Sequence, residues 1–119
     1  MTLLFFYGSL VRGQSNHGLV EGRARFLGED AVAGTLVDLG DYPGAVLGGS
    51  DWILGEVFEA SDPELLALLD DFEGEEYPRV ETVTRGGHRV WVYSNPSPGP
   101  AVPGGDWRAH VAERDSLRA

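Results

Sequence analysis

The sequence predicts an α+β fold, a small mixed and mostly antiparallel β-barrel with short peripheral helices. Three observations predict it. About six short apolar or alternating segments are separated by Gly, Pro, Asp and Asn clusters. One stretch alone, Pro63–Gly74, carries a strong helical period. An antiparallel sheet of this size avoids exposed edges by closing, or nearly closing, on itself. The 119 residues suit one compact domain, residues 1–119, that buries roughly two thirds of its unfolded surface.

The elements follow in order. Leu3–Tyr7 is a short apolar run with two Phe residues and reads as a buried strand. Gly8-Ser9 breaks it, and the stretch to Gly18 reads as loop or a short helical turn. Arg23–Gly28 and Ala31–Leu39 read as strands parted by Gly28-Glu29-Asp30. Gly40–Gly44 is a turn cluster, Ala45–Leu47 a brief strand, and Trp52–Ala60 a further strand beyond Gly48-Gly49-Ser50-Asp51. Ser61 and Glu64 have capping-box spacing, with Pro63 in the first helical turn. Arg79–Thr84 and Arg89–Tyr93 form a hairpin across Arg85-Gly86-Gly87-His88. Four of the seven prolines lie in Asn95–Gly105, a loop. Asp106–Arg118 is either a short helix or a frayed tail.

Composition removes several chemistries. There is no cysteine, hence no disulfide, thiolate nucleophile or cysteine metal site, which fits a cytoplasmic protein. All nine basic residues are arginine, which excludes a Schiff base and a P-loop lysine. A net charge of −10 repels nucleic acid and anionic membranes. No apolar run approaches the roughly 20 residues of a membrane span, and the N-terminus lacks the basic region of a signal peptide. His17, His88 and His110 are too widely spaced for a metal site, and no cofactor is expected. Ser9 lies outside any Gly-x-Ser-x-Gly elbow.

Glu73 stands out. Leu65, Leu68, Leu69 and Phe72 form one apolar helix face, and Glu73, four residues after Leu69, borders it. Partial burial, the acidic neighbours Asp70, Asp71, Glu75 and Glu76, and the helix C-terminus would each raise its pKa. A carboxylate tuned toward neutrality is a competent general base; an ordinary acidic helix end is the other reading. Tyr7-Gly8-Ser9-Leu10 is the second candidate. A buried strand that runs into Gly-Ser frees successive backbone N–H groups, which can hold a carboxylate or oxyanion; a plain strand-ending turn is the alternative. Of the histidines, only His17 lies near this turn in sequence. Trp52, Trp91 and Trp107 read as packing residues, and Arg79 as a partner for the acidic cluster.

The ordered set is more specific than its parts. Tyr7-Gly8-Ser9-Leu10, Gly40–Val46, Gly55-Glu56-Val57-Phe58, then Leu69-Asp70-x-x-Glu73-Gly74-x-x-Tyr77-x-Arg79 resembles the gamma-glutamylcyclotransferase-like family. It looks closest to the branch of gamma-glutamylamine cyclotransferases and AIG2-like proteins. The likeness continues through Val90–Tyr93 and Gly105-Asp106-Trp107. It implies a small barrel with a cavity at one end. It implies that Tyr7, Gly8, Ser9 and Leu10 hold the glutamyl end of a small γ-glutamyl substrate, with Glu73 as general base. The α-amine would attack its own γ-carbonyl, giving 5-oxoproline and releasing an amine or amino acid. Tyr42 and Tyr93 are further candidates for the cavity wall. No metal, thiol or lysine is needed for such a reaction. A module that binds a small carboxylate or amide without turnover is the alternative, although a carboxylate in the cavity does not help a pure binder of anions. The leaving group and the oligomeric state are not legible.

Overall fold

The computed structural model describes residues 2–118; Met1 and Ala119, the ends of the expected domain, lie outside them. Five strands form one sheet: β1 (Leu3–Phe6), β2 (Ala24–Asp38), β3 (Pro43–Ala60), β4 (Arg79–Val83) and β5 (Arg89–Tyr93). Their spatial order is β2-β3-β1-β5-β4. β1 runs parallel to β5, and the other neighbours are antiparallel. Helix α1 (Leu65–Glu73) follows β3, and α2 (Trp107–Arg118) ends the chain. The tail is therefore helical rather than frayed.

Two expected breaks are absent, and the segments on either side of each join, so the sheet has five strands. Gly28-Glu29-Asp30 does not interrupt β2. Phe26 pairs with Phe58 and Gly28 with Val57, so a bulge at Leu27 absorbs the irregularity and the ladder continues. Asp30 is tolerated there because its Oδ1 accepts the Ala31 N–H at 2.8 Å and the Gly86 N–H at 3.0 Å. Likewise, Ala33 pairs with Trp52 but Gly34 with Leu47, so residues 48–51 form an excursion within β3.

The sheet curls without closing. Its edges, β2 and β4, do not pair with each other. The hairpin after β4 meets β2 through the Arg85 N–H and the Ala31 carbonyl at 2.8 Å. The Pro-rich loop covers the C-terminal end of that edge, with Asp38 N–H to Pro100 O and Val102 N–H to Leu36 O, both 2.8 Å. The barrel is loose, and a loop rather than a strand bond protects its edge.

Both faces of β1 are buried, as its unbroken apolar run requires. Phe5 packs with Val32, Ile53, Val57, Val92 and Trp107 on the inner side. Leu4 and Phe6 pack with Phe58, Leu65, Leu69 and Tyr93 on the other, beneath α1. The Ser61–Glu64 capping box does not form: Asp62 Oδ1 accepts the Glu64 N–H at 2.9 Å instead, and no side chain caps from Ser61. At the other end Gly74, at φ +74°, stops the helix and donates to Asp70 O.

Leu65 and Leu69 are fully buried, whereas Phe72 is 43 % exposed. Phe72 is therefore not part of the expected apolar face. The inward row runs Leu65, Leu69 and then the half-buried Glu73 at steps of four. Leu69→Ala should cost about 2–5 kcal/mol of unfolding free energy in urea titration. Leu68→Ala, at a half-buried position, should cost distinctly less.

Candidate active site

The end of β1, the start of β3 and the C-terminal turn of α1 surround a cavity of about 270 Å3. Tyr7, Gly8, Ser9 and Leu10 line it from the β1 side, Tyr42 from the turn before β3, Tyr93 from the end of β5, and Glu73 from α1. All seven residues singled out in the sequence thus meet in one place. Sequence reasoning missed Phe5, Phe6, Pro43, Phe72, Glu76 and Tyr77, which complete the lining. Glu76 was legible as a flanking acid and Tyr77 as the start of a strand. Neither carried a signal that it would face a cavity.

Glu73 occupies the third place of a row whose first two members are sealed in the core, and this sets its chemistry. Burial raises its pKa from 4.5 to about 7. The expected help from neighbouring carboxylates and the helix dipole is not needed. Asp70, Asp71, Glu75 and Glu76 are all exposed, where water screens them. Among the described residues no hydrogen bond or ion pair engages the Glu73 carboxylate. It is a half-buried acid without a partner, which titrates near neutrality.

Asp70, one turn earlier, has the opposite environment. Arg79 grips it through Nε at 3.0 Å and Nη2 at 3.1 Å, and Tyr93 donates its hydroxyl at 2.7 Å. The Arg79 hydrogen bond, followed by that from Tyr93, holds the Asp70 carboxyl below its usual range. Arg79 also lies 4.4 Å over the Trp91 ring. This set of bonds ties α1 to β4 and β5. It continues inward, because the Tyr7 hydroxyl donates to the Tyr93 carbonyl at 2.6 Å. Burial, then the nearby Tyr77 and Glu73, push the Tyr7 phenol well above its ordinary pKa, so it remains a hydrogen-bond donor.

The turn after β1 is built differently. Val11 N–H reaches back to Gly8 O at 3.3 Å, and Asn16 N–H to Ser9 O at 2.9 Å. The Asn16 side chain holds Ser9 Oγ at 2.9 Å, and His17 donates from Nδ1 to Leu10 O at 2.8 Å. Carbonyls of the turn are thus occupied. The N–H groups of Gly8, Ser9 and Leu10 have no protein acceptor among the described residues. His17 supports the turn from outside and does not line the cavity. A Cβ on Gly8 would stand 3.0 Å from Pro43 Cγ, so a larger residue here requires Pro43 to give way. Tyr77 fixes Pro43 in turn, donating to its carbonyl at 2.8 Å.

Together the lining residues bring a carboxylate and a turn whose three N–H groups have no protein partner among the described residues, with aromatic rings around them. The lining holds no arginine or histidine. Among the described residues no group of three or more His, Asp or Glu is arranged to hold a metal, and no helix is long and apolar enough to cross a membrane.

The chain is similar to known proteins in sequence and in fold. The sequence matches the family described as "Gamma-glutamyl cyclotransferase, AIG2-like" over residues 4–109. It is 36 % identical over 74 residues to the gamma-L-glutamyl-butirosin B gamma-glutamyl cyclotransferase of Niallia circulans, covering 61 % of this chain and 46 % of that enzyme, so the chain matches less than half of that relative's length. It is 38 % identical over 95 residues to a putative gamma-glutamylcyclotransferase of Vibrio cholerae, covering 76 % of this chain and 79 % of that protein. In structure it resembles an uncharacterized protein from Pyrococcus horikoshii with a TM-score of 0.82 and 28 % identity, each chain covered in full. The chain belongs to the gamma-glutamyl cyclotransferase, AIG2-like family.

Proposed function

We propose that this protein cyclises the γ-glutamyl group of a small γ-glutamyl amine or amino acid, with Glu73 as the general base. One observation carries the reading. A carboxylate with a pKa of about 7 shares a small cavity with three unpaired backbone amides. Family membership and the names of the relatives support the reaction class.

The chemistry needs little else. The substrate's α-ammonium cannot attack until it loses a proton, and Glu73 in its ionised form accepts it. The freed amine then attacks the γ-carbonyl carbon of the same glutamyl group. Nucleophile and electrophile are tethered, so the cavity has only to hold a folded conformer. The carbonyl oxygen gathers negative charge, which the amides of Gly8, Ser9 and Leu10 stabilise. In all, two protons leave the α-nitrogen and two arrive on the departing nitrogen. Glu73 carries them, and its pKa near neutrality suits both acceptance and return. The C–N bond to the departing group breaks, leaving 5-oxoproline and a free amine. The substrate's own α-carboxylate finds no basic side chain in the wall, so backbone amides and hydroxyls must receive it.

Two outcomes test this reading. Glu73→Gln should remain folded and lose at least about 10²-fold in 5-oxoproline release from a γ-glutamyl panel. In the wild type, kcat/KM should fall on the acid side with a limb near pH 7, because the base form is lost there. Activity that persists in a folded Gln variant removes Glu73 from the role.

The same burial has a consequence for stability. The folded pKa of about 7 lies above the ordinary 4.5, so ionisation favours the unfolded chain. Below pH 4.5 this penalty is absent; it grows as pH rises and is complete above pH 7. Glu73→Gln should therefore match the wild type in stability near pH 4 and exceed it by about 1–3 kcal/mol at pH 8. Urea unfolding at both pH values measures the difference.

Gly8→Val should raise KM by about tenfold or more, since the side chain must displace Pro43 or enter the cavity. An unchanged KM would place substrate elsewhere.

A further inference from the structure

Glu56 is the largest charged side chain with no solvent exposure at all, and the reaction above makes no use of it. It lies on β3 directly opposite Phe6, the last residue of β1. Both its oxygens are engaged. Oε1 accepts the backbone N–H of Arg12 at 2.8 Å, and Oε2 accepts Arg12 Nε at 2.9 Å, with Arg108 Nη1 at 3.5 Å. The Arg12 guanidinium also lies 3.5 Å over the Phe26 ring.

A buried carboxylate is a poor device for stability alone. Its desolvation offsets most of the gain from pairing, and an apolar side chain of similar size often serves as well. A carboxylate can do what an apolar group cannot: it can bind one particular backbone amide. Here the amide belongs to Arg12, two residues beyond the three N–H groups that have no protein acceptor. Gly8 O is already tied to Val11 N–H and Leu10 O to His17. With Arg12 N–H drawn inward by Glu56, both ends of the turn are fixed and the amides of Gly8, Ser9 and Leu10 are left for a ligand.

We propose that Glu56 is a positioning residue, which acts through the Arg12 amide to hold the Gly8–Leu10 turn ready to bind the glutamyl group and its developing oxyanion. This rests on the proposed function for its kinetic consequence, but the orientation of the turn stands independently of turnover. Fixed donors need no reorganisation during reaction, so loss of the peg should reduce transition-state stabilisation without touching the base.

Two measurements test it. The first uses the wild-type protein, with amide hydrogen exchange followed by NMR, alone and with saturating 5-oxoproline. The Arg12 amide should be strongly protected in both, while those of Gly8, Ser9 and Leu10 should exchange fast and gain protection with 5-oxoproline. A fast-exchanging Arg12 amide, or no response at Gly8–Leu10, overturns the proposal. The second is the pH profile of Glu56→Gln. An amide side chain offers one acceptor oxygen where the carboxylate offers two, so kcat/KM should fall about 10- to 100-fold. The acid limb should remain near pH 7, because the surroundings of Glu73 are intact. Unchanged turnover, or a limb that moves toward the ordinary carboxylate range, contradicts it, since the latter means the cavity has opened to water. If the wild type releases no 5-oxoproline from any γ-glutamyl compound, the proposed function fails, and the exchange experiment alone decides the role of Glu56.

Discussion

The withdrawal of one carboxylate from water is the constraint on which the site depends. Glu73 continues the row set by Leu65 and Leu69, both sealed in the core, so it cannot swing wholly into solvent while the helix stays docked. Gly74 ends the helix immediately after it, which leaves the carboxylate at the rim of the cavity rather than deeper in the packing. The strand below is committed as well. Leu4 and Phe6 of β1 form the floor on which Leu65 and Leu69 rest, and the same strand ends in the amide turn. Acid and amides are thus positioned by one packed unit.

Two carboxylates three residues apart are driven in opposite directions. Asp70 receives Arg79 and Tyr93 and stays ionised, a brace that joins α1 to β4 and β5. Glu73 receives no partner among the described residues and titrates near neutrality. Such a split between adjacent acids is how one scaffold separates a structural charge from a reactive one. Glu56 shows a third treatment, complete burial with every oxygen engaged. The acidic composition is therefore no uniform surface property, because burial and partners give three of its members different chemistry.

Much of this was legible in the sequence, for reasons that can be named. Helix α1 declared itself because its leucines repeat at helical spacing, and Glu73 because it falls four residues after Leu69. β1 read as buried because it is apolar without alternation, and it does pack on both faces. Phe72 was misjudged because periodicity cannot distinguish a core aromatic from one that leans over a cavity. Ser61 had the right spacing for a cap, but Asp62 is closer to the free amide and takes it. Gly28-Glu29-Asp30 resembled a break because local propensity cannot register that Asp30 has a partner in the Gly86 turn, 56 residues away. Tyr77 and Glu76 were hidden for the same reason, since their place in the wall depends on Pro43 and the end of β1.

The central claim is that Glu73 titrates near neutrality because burial denies its charge to water. A direct titration of its side-chain carboxyl carbon by NMR, with Glu73→Gln to assign the signal, tests it most plainly. The account predicts an inflection near pH 7. An inflection near the ordinary pH 4.5 would contradict it, and the case for Glu73 as the base would go with it.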